Sequence, residues 1–422
     1  MRNQIPLLNY QNSIEPKKTI GIEIETKKTN VRSIPAIFII QIMRRVSKLS
    51  HHLRASPCSR SMSIDTRFAI PNLTMGAESV LTSTYEKTGH VLLNRPKALN
   101  ALNLDMIEKM HNSLQAMEEN PNVEVIFMAG NGQKAFCAGG DVRAIYDEKK
   151  EGVSHNMQTA FFAEEYRLDY LIANLKTPYV SLLDGITMGG GVGISVHGKY
   201  RIATENSVFS MPETALGLFP DVGGAHFLPR LPQSIGYILG LTGYRLKGFD
   251  LYFAGIATHC VPYEDLEELL QKSLDYETFS KELEKLHNPP LHPRDELFEN
   301  LPQIECCFQK ETVEEIIACL RESESPLAQQ LISSMESASP TSLKVTLAQL
   351  RRGAELDLKH SLEMEYRMTQ NFMNNVDFFE GVRSILVDKD RNPKWSPADL
   401  SEVSDDDVAQ YFKSISPDLI LQ

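Results

Sequence analysis

Two glycine-rich turns, each placed shortly after an apolar run, most constrain what this chain can fold into. Val123–Ala129 leads to the loop segment Ala135–Asp141, and Tyr179–Leu183 leads to Gly185–Gly193. Apolar runs of this length between turn residues predict buried strands. Glycine at such a position permits a sharp turn and the close approach of another backbone. We therefore expect strands, glycine turns and helices to alternate.

The flanking segments predict the same alternation. Asn103 is expected to cap a helix, whose apolar residues recur every three or four positions: Met106, Ile107, Met110, Leu114 and Met117. A second helix is predicted over 157–175, and short strands are predicted at Tyr200–Ala203 and Val208–Ser210. After Pro262 the pattern changes to amphipathic helices. The fold class is therefore α/β, with a core at 76–262 and a mainly helical C-terminal region at 263–422.

Residues 1–75 form a basic leader. Residues 1–63 contain 11 Lys and Arg against 3 Glu, which leaves a net charge of −20 on the rest of a chain whose total is −12. Within the leader, residues 43–63 contain five basic residues, several serines and no acid, which is typical of a mitochondrial transit peptide. A disordered basic tail is the alternative. Met43 is the expected start, because residues 1–42 add acids.

The charge of the body and the lengths of the apolar runs argue against two classes of partner. A nucleic-acid surface needs clustered cations on the folded domain, so none is expected. The longest early apolar run, Ile37–Met43, is far shorter than the roughly 20 residues of a membrane helix. The six cysteines show no zinc-binding spacing, so we expect no metal and a reduced compartment. Cys137 is interpreted as a packing residue rather than a nucleophile.

The two glycine turns form a candidate oxyanion site. Each exposes backbone N–H groups, and a helix that begins in the turn adds partial positive charge. Two such turns that face each other can bind the oxygen anion of a tetrahedral intermediate. One turn alone would be a weak signal, since glycine often serves only a tight bend.

Two carboxylates follow the second turn at close spacing. Glu213 and Asp221 each stand directly after a proline, in the apolar segments Met211–Thr214 and Phe219–Gly224. Apolar surroundings desolvate a carboxylate and can tune it for proton transfer or for direct attack. The alternative is that both simply cap helices. Their nearness to the glycine turns favours a chemical role.

Glu165 is a third candidate acid. On the predicted helix over 157–175, its neighbours one turn away are apolar, so it lies on the buried stripe of that helix. A buried ion pair with Arg or Lys explains such an acid as well as a place in a site does.

Two other patterns fail on inspection. Gly193–Tyr200 approaches a phosphate-binding loop, but Tyr200 replaces the hydroxyl that binds Mg²⁺. Ser195 and His197 lack the second glycine of a nucleophile elbow. Structural roles are expected for both side chains.

Over Val80–Trp395 the chain resembles the enoyl-CoA hydratase/isomerase (crotonase) superfamily. The matching segments are Asn94–Pro96 with Asn100–Leu102, Ala135–Asp141, Gly185–Gly198, Met211–Thr214, Gly217–Gly224 and Asp377–Asp390. The resemblance implies a superhelix of ββα repeats followed by helices. It also implies an acyl-CoA substrate, with no cofactor apart from the CoA of the substrate.

The resemblance assigns a role to each candidate residue. The N–H groups of Gly140 and Gly190 would form the oxyanion hole. Glu213 would be the catalytic carboxylate, Asp221 its partner near the thioester, and Glu165 a substrate-pocket residue. The implied reaction is hydrolysis of 3-hydroxyisobutyryl-CoA in valine degradation in the mitochondrial matrix.

One position separates hydrolysis from hydration. The resembling hydratases place a second catalytic Glu in a GGGxE pattern, and here that position is Gly193. Addition of water to a double bond needs two placed acid–base groups, so hydration is disfavoured. Enoyl-CoA hydratase or isomerase activity and a non-enzymatic RNA- or protein-binding role are the rival hypotheses. The sequence leaves assembly into a homo-oligomer open.

Overall fold

The computed structural model describes residues 70–152, 156–272 and 274–422. All of them fall in one compact unit, Asp65–Gln422. The predicted import segment 43–63 and the predicted start at Met43 lie outside the described residues. The predicted domain boundaries after residues 75 and 262 stay predictions.

The first part of the described chain alternates strands and helices. In chain order the elements are β1 Val80–Tyr85, β2 Thr88–Leu93, α1 Leu104–Glu119, β3 Val125–Gly130, β4 Ala135–Cys137, α2 Val142–Glu151, α3 Asn156–Asn174, β5 Tyr179–Leu183, β6 Ile186–Met188, α4 Gly190–Val196, β7 Tyr200–Ala203, β8 Val208–Ser210, α5 Gly224–Phe227, α6 Ile235–Thr242, β9 Leu246–Lys247, α7 Asp250–Phe253 and β10 His259–Cys260. Short 3₁₀ turns cover Pro96–Ala98, Glu213–Leu216 and Leu228–Arg230.

The rest of the described chain is helical. Its helices are α8 Tyr263–Gln271, α9 Tyr276–Leu286, α10 Glu296–Ile304, α11 Val313–Glu322, α12 Pro326–Ser337, α13 Pro340–Gly353, α14 Leu358–Met373, α15 Asp377–Val382 and α16 Asp405–Gln410. Shorter turns lie at Glu305–Gln309 and Leu400–Glu402, and one π-helical turn lies at Arg383–Val387. The predicted α/β fold class with a helical C-terminal region is thereby confirmed.

Two sheets are formed within the described residues. Six strands pair in the order β1, β2, β3, β5, β7, β10, and four short strands pair in the order β4, β6, β8, β9. The first pair is antiparallel, and the pairs from β2 to β10 are parallel. Parallel strands are buried on both faces, which explains why their sequences read as continuous apolar runs.

Alternate side chains of the larger sheet enter two hydrophobic clusters. Phe127 of β3 packs with Leu266 of α8 and Phe279 of α9 on one face. Its neighbours Ile126 and Met128 face the larger cluster, which includes the helices after α9. This alternation follows from the period of two in a strand. The sheet therefore separates two hydrophobic cores, and the candidate site lies on the side of the larger core.

The Asn-containing segment after β2 fastens the first glycine turn. The side-chain amide of Asn100 donates to the carbonyls of Asn131, Ala135 and Phe136 at 2.9, 3.0 and 3.1 Å. Arg95 forms an ion pair with Asp141 at 2.9 Å and donates to the Ala101 carbonyl. The loop that carries Gly139 and Gly140 is thus held at both ends.

The structure corrects the expectation of a reduced compartment, in which the cysteines would be free thiols. Cys307 and Cys319 form a disulfide, and Sγ of Cys306 lies within 4.8 Å of both sulfurs. The turn at Glu305–Gln309 and α11 fold back on each other and bring these residues together. The spacing in sequence carries no signal of such a contact. Separately, none of the helices among the described residues has the length and apolar character to cross a bilayer.

Candidate active site

A cleft of about 540 Å³ opens between the two glycine turns and the helical C-terminal region. All five predicted site residues line it: Gly140, Glu165, Gly190, Glu213 and Asp221. The opposite side is formed by residues that include Ser337, Ile385 and Leu386. The structure therefore brings the predicted residues together, while their chemical roles stay predictions.

The N–H group of Gly140 points away from its pairing strand. Gly140 forms an isolated parallel bridge with Leu102. The hydrogen bonds of that bridge use the flanking groups, Leu102 N–H to Gly139 O at 2.8 Å and Asp141 N–H to Leu102 O at 2.7 Å. In a parallel pairing the middle residue faces its own N–H the other way. Gly140 is thus left with a donor for the cleft.

Gly190 provides a second donor beside the first. It is the first residue of α4, so its N–H has no carbonyl one turn earlier in the helix. A Cβ added to Gly190 would lie 3.3 Å from the Gly140 nitrogen, and one added to Gly139 would lie 3.7 Å from the Gly190 nitrogen. The two turns therefore lie against each other, with both backbone nitrogens close together.

Glu165 lies directly behind the second turn. A Cβ added to Gly190 would overlap Oε1 of Glu165, so a larger residue there would require the Glu165 side chain to move. The side chain is 2% exposed, and Oε1 has no hydrogen-bond partner among the described residues. The alternative of a buried ion pair with Arg or Lys is not realised within the described part of the chain.

Glu213 approaches the same turn from the other side. It begins the 3₁₀ turn after Pro212, and its Oε1 would lie 3.0 Å from a Cβ added to Gly189. The side chain is 5% exposed, and Oε2 is unpartnered in the described structure. Burial, followed by the charge of Asp221, holds the pKa of Glu213 well above its usual value. The carboxyl does not cap a helix, so the capping alternative fails for Glu213.

Asp221 is held by one tyrosine. The Tyr166 hydroxyl of α3 donates to Oδ2 of Asp221 at 2.8 Å. Burial raises the pKa of Asp221 to about 6, and the bond from Tyr166 opposes that rise. Asp221 also does not cap α5, whose cap residue is Gly223. Both predicted acids therefore face the cleft.

The three acids affect one another electrostatically. Burial and then the charges of Asp221 and Glu213 hold the pKa of Glu165 well above its usual value. Like charges in a buried site oppose each other's ionisation, so the ionisation of one of these carboxyls raises the pKa of the others. Such a cluster can accept a proton, donate one, or present a desolvated oxygen nucleophile.

Three residues near the acids were missed by sequence reasoning. Asp169 of α3 is fully buried, and neither carboxylate oxygen has a partner among the described residues. Glu365 of α14 is also fully buried and contacts the turn that follows Asp221. Tyr166 orients Asp221 as described above. The signal that found Glu165, an acid on an apolar helical stripe, applies equally to Asp169 and Glu365.

Gly193 is closed to any side chain. An added Cβ would lie 2.6 Å from Cβ of Val222 and 2.8 Å from both carboxylate oxygens of Asp169. Real Cβ atoms do not approach other atoms this closely. A second acid cannot be carried here without rearrangement of α3 or of the Asp221 turn.

The remaining polar residues of this region have structural contacts. The Ser195 hydroxyl donates to the carbonyls of Gly191 and Val192, and Nε2 of His197 donates to the Val222 carbonyl at 2.8 Å. Burial raises the pKa of the Cys137 thiol to about 12, which keeps it a poor nucleophile. None of the three is arranged for attack on a substrate.

Comparison with known sequences gives consistent matches. The family model described as enoyl-CoA hydratase/isomerase matches residues 88–412. The chain is 46% identical over 380 residues to the mitochondrial 3-hydroxyisobutyryl-CoA hydrolase of Homo sapiens, which covers 88% of this chain and 94% of that protein. The protein of the same name from Dictyostelium discoideum is 45% identical, with 82% and 94% covered.

Solved structures match the same part of the chain. A carnitinyl-CoA dehydratase from Mycobacterium thermoresistibile superposes with a TM-score of 0.77 at 37% identity, covering 82% of this chain and 99% of that one. An enoyl-CoA hydratase from Rhodobacter sphaeroides gives a TM-score of 0.75 at 36% identity, covering 82% and 100%.

Proposed function

The chain belongs to the enoyl-CoA hydratase/isomerase family, and from this premise we propose that it hydrolyses the thioester of 3-hydroxyisobutyryl-CoA. The products are 3-hydroxyisobutyrate and free CoA, and the reaction is a step of valine catabolism. The observation that carries the proposal is the pairing of two free N–H donors with the buried carboxyl of Glu213 across one cleft. The reaction needs no cofactor beyond the CoA of the substrate.

The two glycine turns polarise the thioester carbonyl. The N–H groups of Gly140 and Gly190 bind the carbonyl oxygen, whose negative charge grows in the tetrahedral intermediate. Donors fixed by backbone geometry stabilise that charge without reorganising. The hydrogen bonds of the Leu102 bridge and of Asn100 keep the Gly140 donor in place.

Glu213 supplies the oxygen chemistry at the carbonyl carbon. It either removes a proton from the attacking water, after which the tetrahedral intermediate breaks its C–S bond, or attacks directly and breaks that bond to form a mixed anhydride that water then opens. In both routes the CoA thiolate leaves and takes up the proton that water releases. Both routes need an ionised Glu213, and its Oε2, which has no hydrogen-bond partner among the described residues, is the atom available for either. Asp221 positions the β-hydroxyl, the water or the departing sulfur, and Glu165 forms part of the substrate pocket.

The mouth of the cleft suits the charged end of CoA. Arg245 and Arg391 line the cleft with exposed side chains. Guanidinium groups bind phosphate oxygens in a bidentate manner. We assign to them the phosphates of CoA, so that the acyl end reaches the glycine turns.

Gly193 favours hydrolysis over hydration. A hydratase-type second acid would need a side chain at Gly193, and the contacts with Val222 and Asp169 leave no space for one. The family resemblance to hydratases therefore does not extend to their pair of acids. A single catalytic acid with an oxyanion site is sufficient for thioester cleavage.

The test compares two reactions of the purified enzyme. We expect thiol release from 3-hydroxyisobutyryl-CoA, followed with a thiol reagent, to be far faster than hydration of crotonyl-CoA. Hydration without thiol release would establish the rival hydratase. Neither reaction would favour a non-enzymatic binding role.

The cellular place of the reaction is proposed from the relatives. They are named mitochondrial, and we propose the mitochondrial matrix for this chain. Import assays should find that protein begun at Met43 enters mitochondria as well as protein begun at Met1. Loss of import in both would contradict the proposal.

A further inference from the structure

The turn that carries Asp221 adopts an unfavourable backbone conformation. Val222 has a φ of +53°, and Gly223 follows with a φ of +83°. A left-handed conformation is easy for glycine, but for a β-branched residue it costs on the order of 1–3 kcal/mol. Such a turn persists only where its surroundings hold it.

Side chains from distant parts of the chain hold this turn. Glu365 of α14 accepts the N–H of Gly223 on Oε2 and the N–H of Ala225 on Oε1, both at 2.7 Å. Gln349 of α13 donates its amide to the Pro220 carbonyl at 2.7 Å and to Oε1 of Glu365 at 3.2 Å.

The backbone groups around Asp221 are therefore bound on several sides. His197 donates to the Val222 carbonyl, which lies along the backbone between the Pro220 carbonyl and the Gly223 N–H. Glu365 and Gln349 are both completely buried, so water cannot replace their hydrogen bonds. An unpaired buried N–H or carbonyl costs about 1–3 kcal/mol.

We propose that Glu365 is a positioning residue, which fixes the turn over residues 220–225 and so holds the Asp221 carboxyl in the cleft. The proposal rests on the function given above. It makes α13 and α14 part of the active site, although neither Gln349 nor Glu365 lines the cleft.

The chemistry of the contact requires a carboxylate. The N–H groups of Gly223 and Ala225 are accepted by different oxygens of Glu365, and a glutamine provides one oxygen and one further donor. In Glu365→Gln, one backbone N–H would therefore face an NH₂ group. The turn can relieve this clash by moving, and movement of the turn carries Asp221 with it.

The first experiment measures thiol release by Glu365→Gln. We expect kcat to fall about 10-fold to 100-fold, because small displacements of an active-site group have effects of this size, while KM changes much less. Thr369→Val is the matched control, since Thr369 is buried on the same helix and its hydroxyl donates to the Tyr366 carbonyl of that helix rather than to the turn over 220–225. Its kcat should be unchanged. An unchanged kcat for Glu365→Gln would overturn the proposal.

The second experiment separates positioning from a general loss of structure. If Glu365 acts through Asp221, the double variant with Asp221→Asn should be no slower than Asp221→Asn alone, within about twofold. Multiplication of the two single effects would overturn the proposal. If Glu365→Gln fails to fold, Gln349→Met replaces it in the same cycle. A wild-type enzyme without thiol release would instead contradict the proposed function, so the two failures are distinguishable.

Discussion

The two walls of the cleft are held by different parts of the chain. The oxyanion wall consists of the turns at Gly139–Gly140 and Gly189–Gly190, and its first turn is held by Asn100 and Leu102 from the neighbouring strand connections. The acid wall consists of Glu213 and the turn over 220–225, and that turn is held by Glu365 and Gln349, more than 120 residues away.

The difference shows which wall a local sequence motif can predict and which depends on tertiary contacts. The donors of the oxyanion wall are backbone groups, and their arrangement is set by glycine and by adjacent strands, so a local motif encodes it. The acid wall depends on tertiary contacts with the helical region. A substitution in that region can therefore alter the acid wall while leaving the oxyanion wall intact.

The largest effect is expected at the acid wall itself. Glu213→Gln should lower kcat about 10³-fold, since the amide can neither accept the proton of water nor attack the carbonyl. Thiol release with 3-hydroxyisobutyryl-CoA is the measurement. Glu164→Gln is the matched control, because Glu164 is only partly buried and pairs with Arg167. Full activity of Glu213→Gln would remove the acid wall from the mechanism.

The next effect concerns the oxyanion wall. Gly190→Ala would place a methyl group against Glu165 and 3.3 Å from the Gly140 nitrogen, in the space of the substrate oxygen. The N–H of residue 190 remains, but the methyl group crowds the oxygen that it binds, and we expect kcat to fall about 10²-fold, as large as the effect of removing one donor. Circular dichroism should report a folded protein.

Gly152→Ala is the control that separates blockage of the oxyanion site from the mere replacement of a glycine. Gly152 has a φ of +69° with nothing within 4 Å of an added Cβ. The variant should lose only about 1 kcal/mol of stability, with kcat unchanged. If Gly152→Ala lost as much kcat as Gly190→Ala, the loss at Gly190 would not be specific to the space of the oxyanion.

A smaller effect is expected in the pH dependence. Glu213 must be ionised to react, and its pKa is raised, so kcat/KM should rise with pH through an apparent pKa above the usual glutamate value. The bond from Tyr166 lowers the pKa of Asp221. Tyr166→Phe should therefore raise the pKa of Asp221, which weakens the charge that raises the pKa of Glu213, and so shift the profile downward by up to about one pH unit. Tyr170→Phe, on the same helix, should leave the profile in place, and an unshifted profile for Tyr166→Phe would separate Asp221 from the rate-limiting chemistry.

The sequence predicted the local part of this molecule well. The strands at Tyr179–Leu183, Tyr200–Ala203 and Val208–Ser210 have their predicted bounds, and Asn103 caps α1 through its side chain as expected. β6 was missed because it lies within Gly185–Gly193, which was interpreted as a turn, and β9 was missed because its two residues show no periodicity.

The site was predictable to the same extent. Glu165, Glu213 and Asp221 stand near glycine turns or on an apolar stripe, and both signals can be read within a few residues. Glu365 contacts Ala225 across 140 positions of sequence, and no local pattern encodes that pairing. The disulfide between Cys307 and Cys319 was missed for the same reason.

The smallest effect on turnover is expected from that disulfide, which tests whether the helical region acts on the acid wall through specific contacts. Cys319→Ser opens a loop with a sequence separation of 12 and should lower the free energy of unfolding by about 3 kcal/mol. Among the described residues, neither cysteine forms a hydrogen bond with the turn over 220–225, so kcat should be unchanged at temperatures where the variant is folded. Denaturant unfolding and thiol release measure the two quantities, with Cys306→Ser as the control that leaves the disulfide intact. A fall in kcat that follows the loss of stability would mean that the whole helical region, rather than Glu365 and Gln349, sets the geometry of the acid wall.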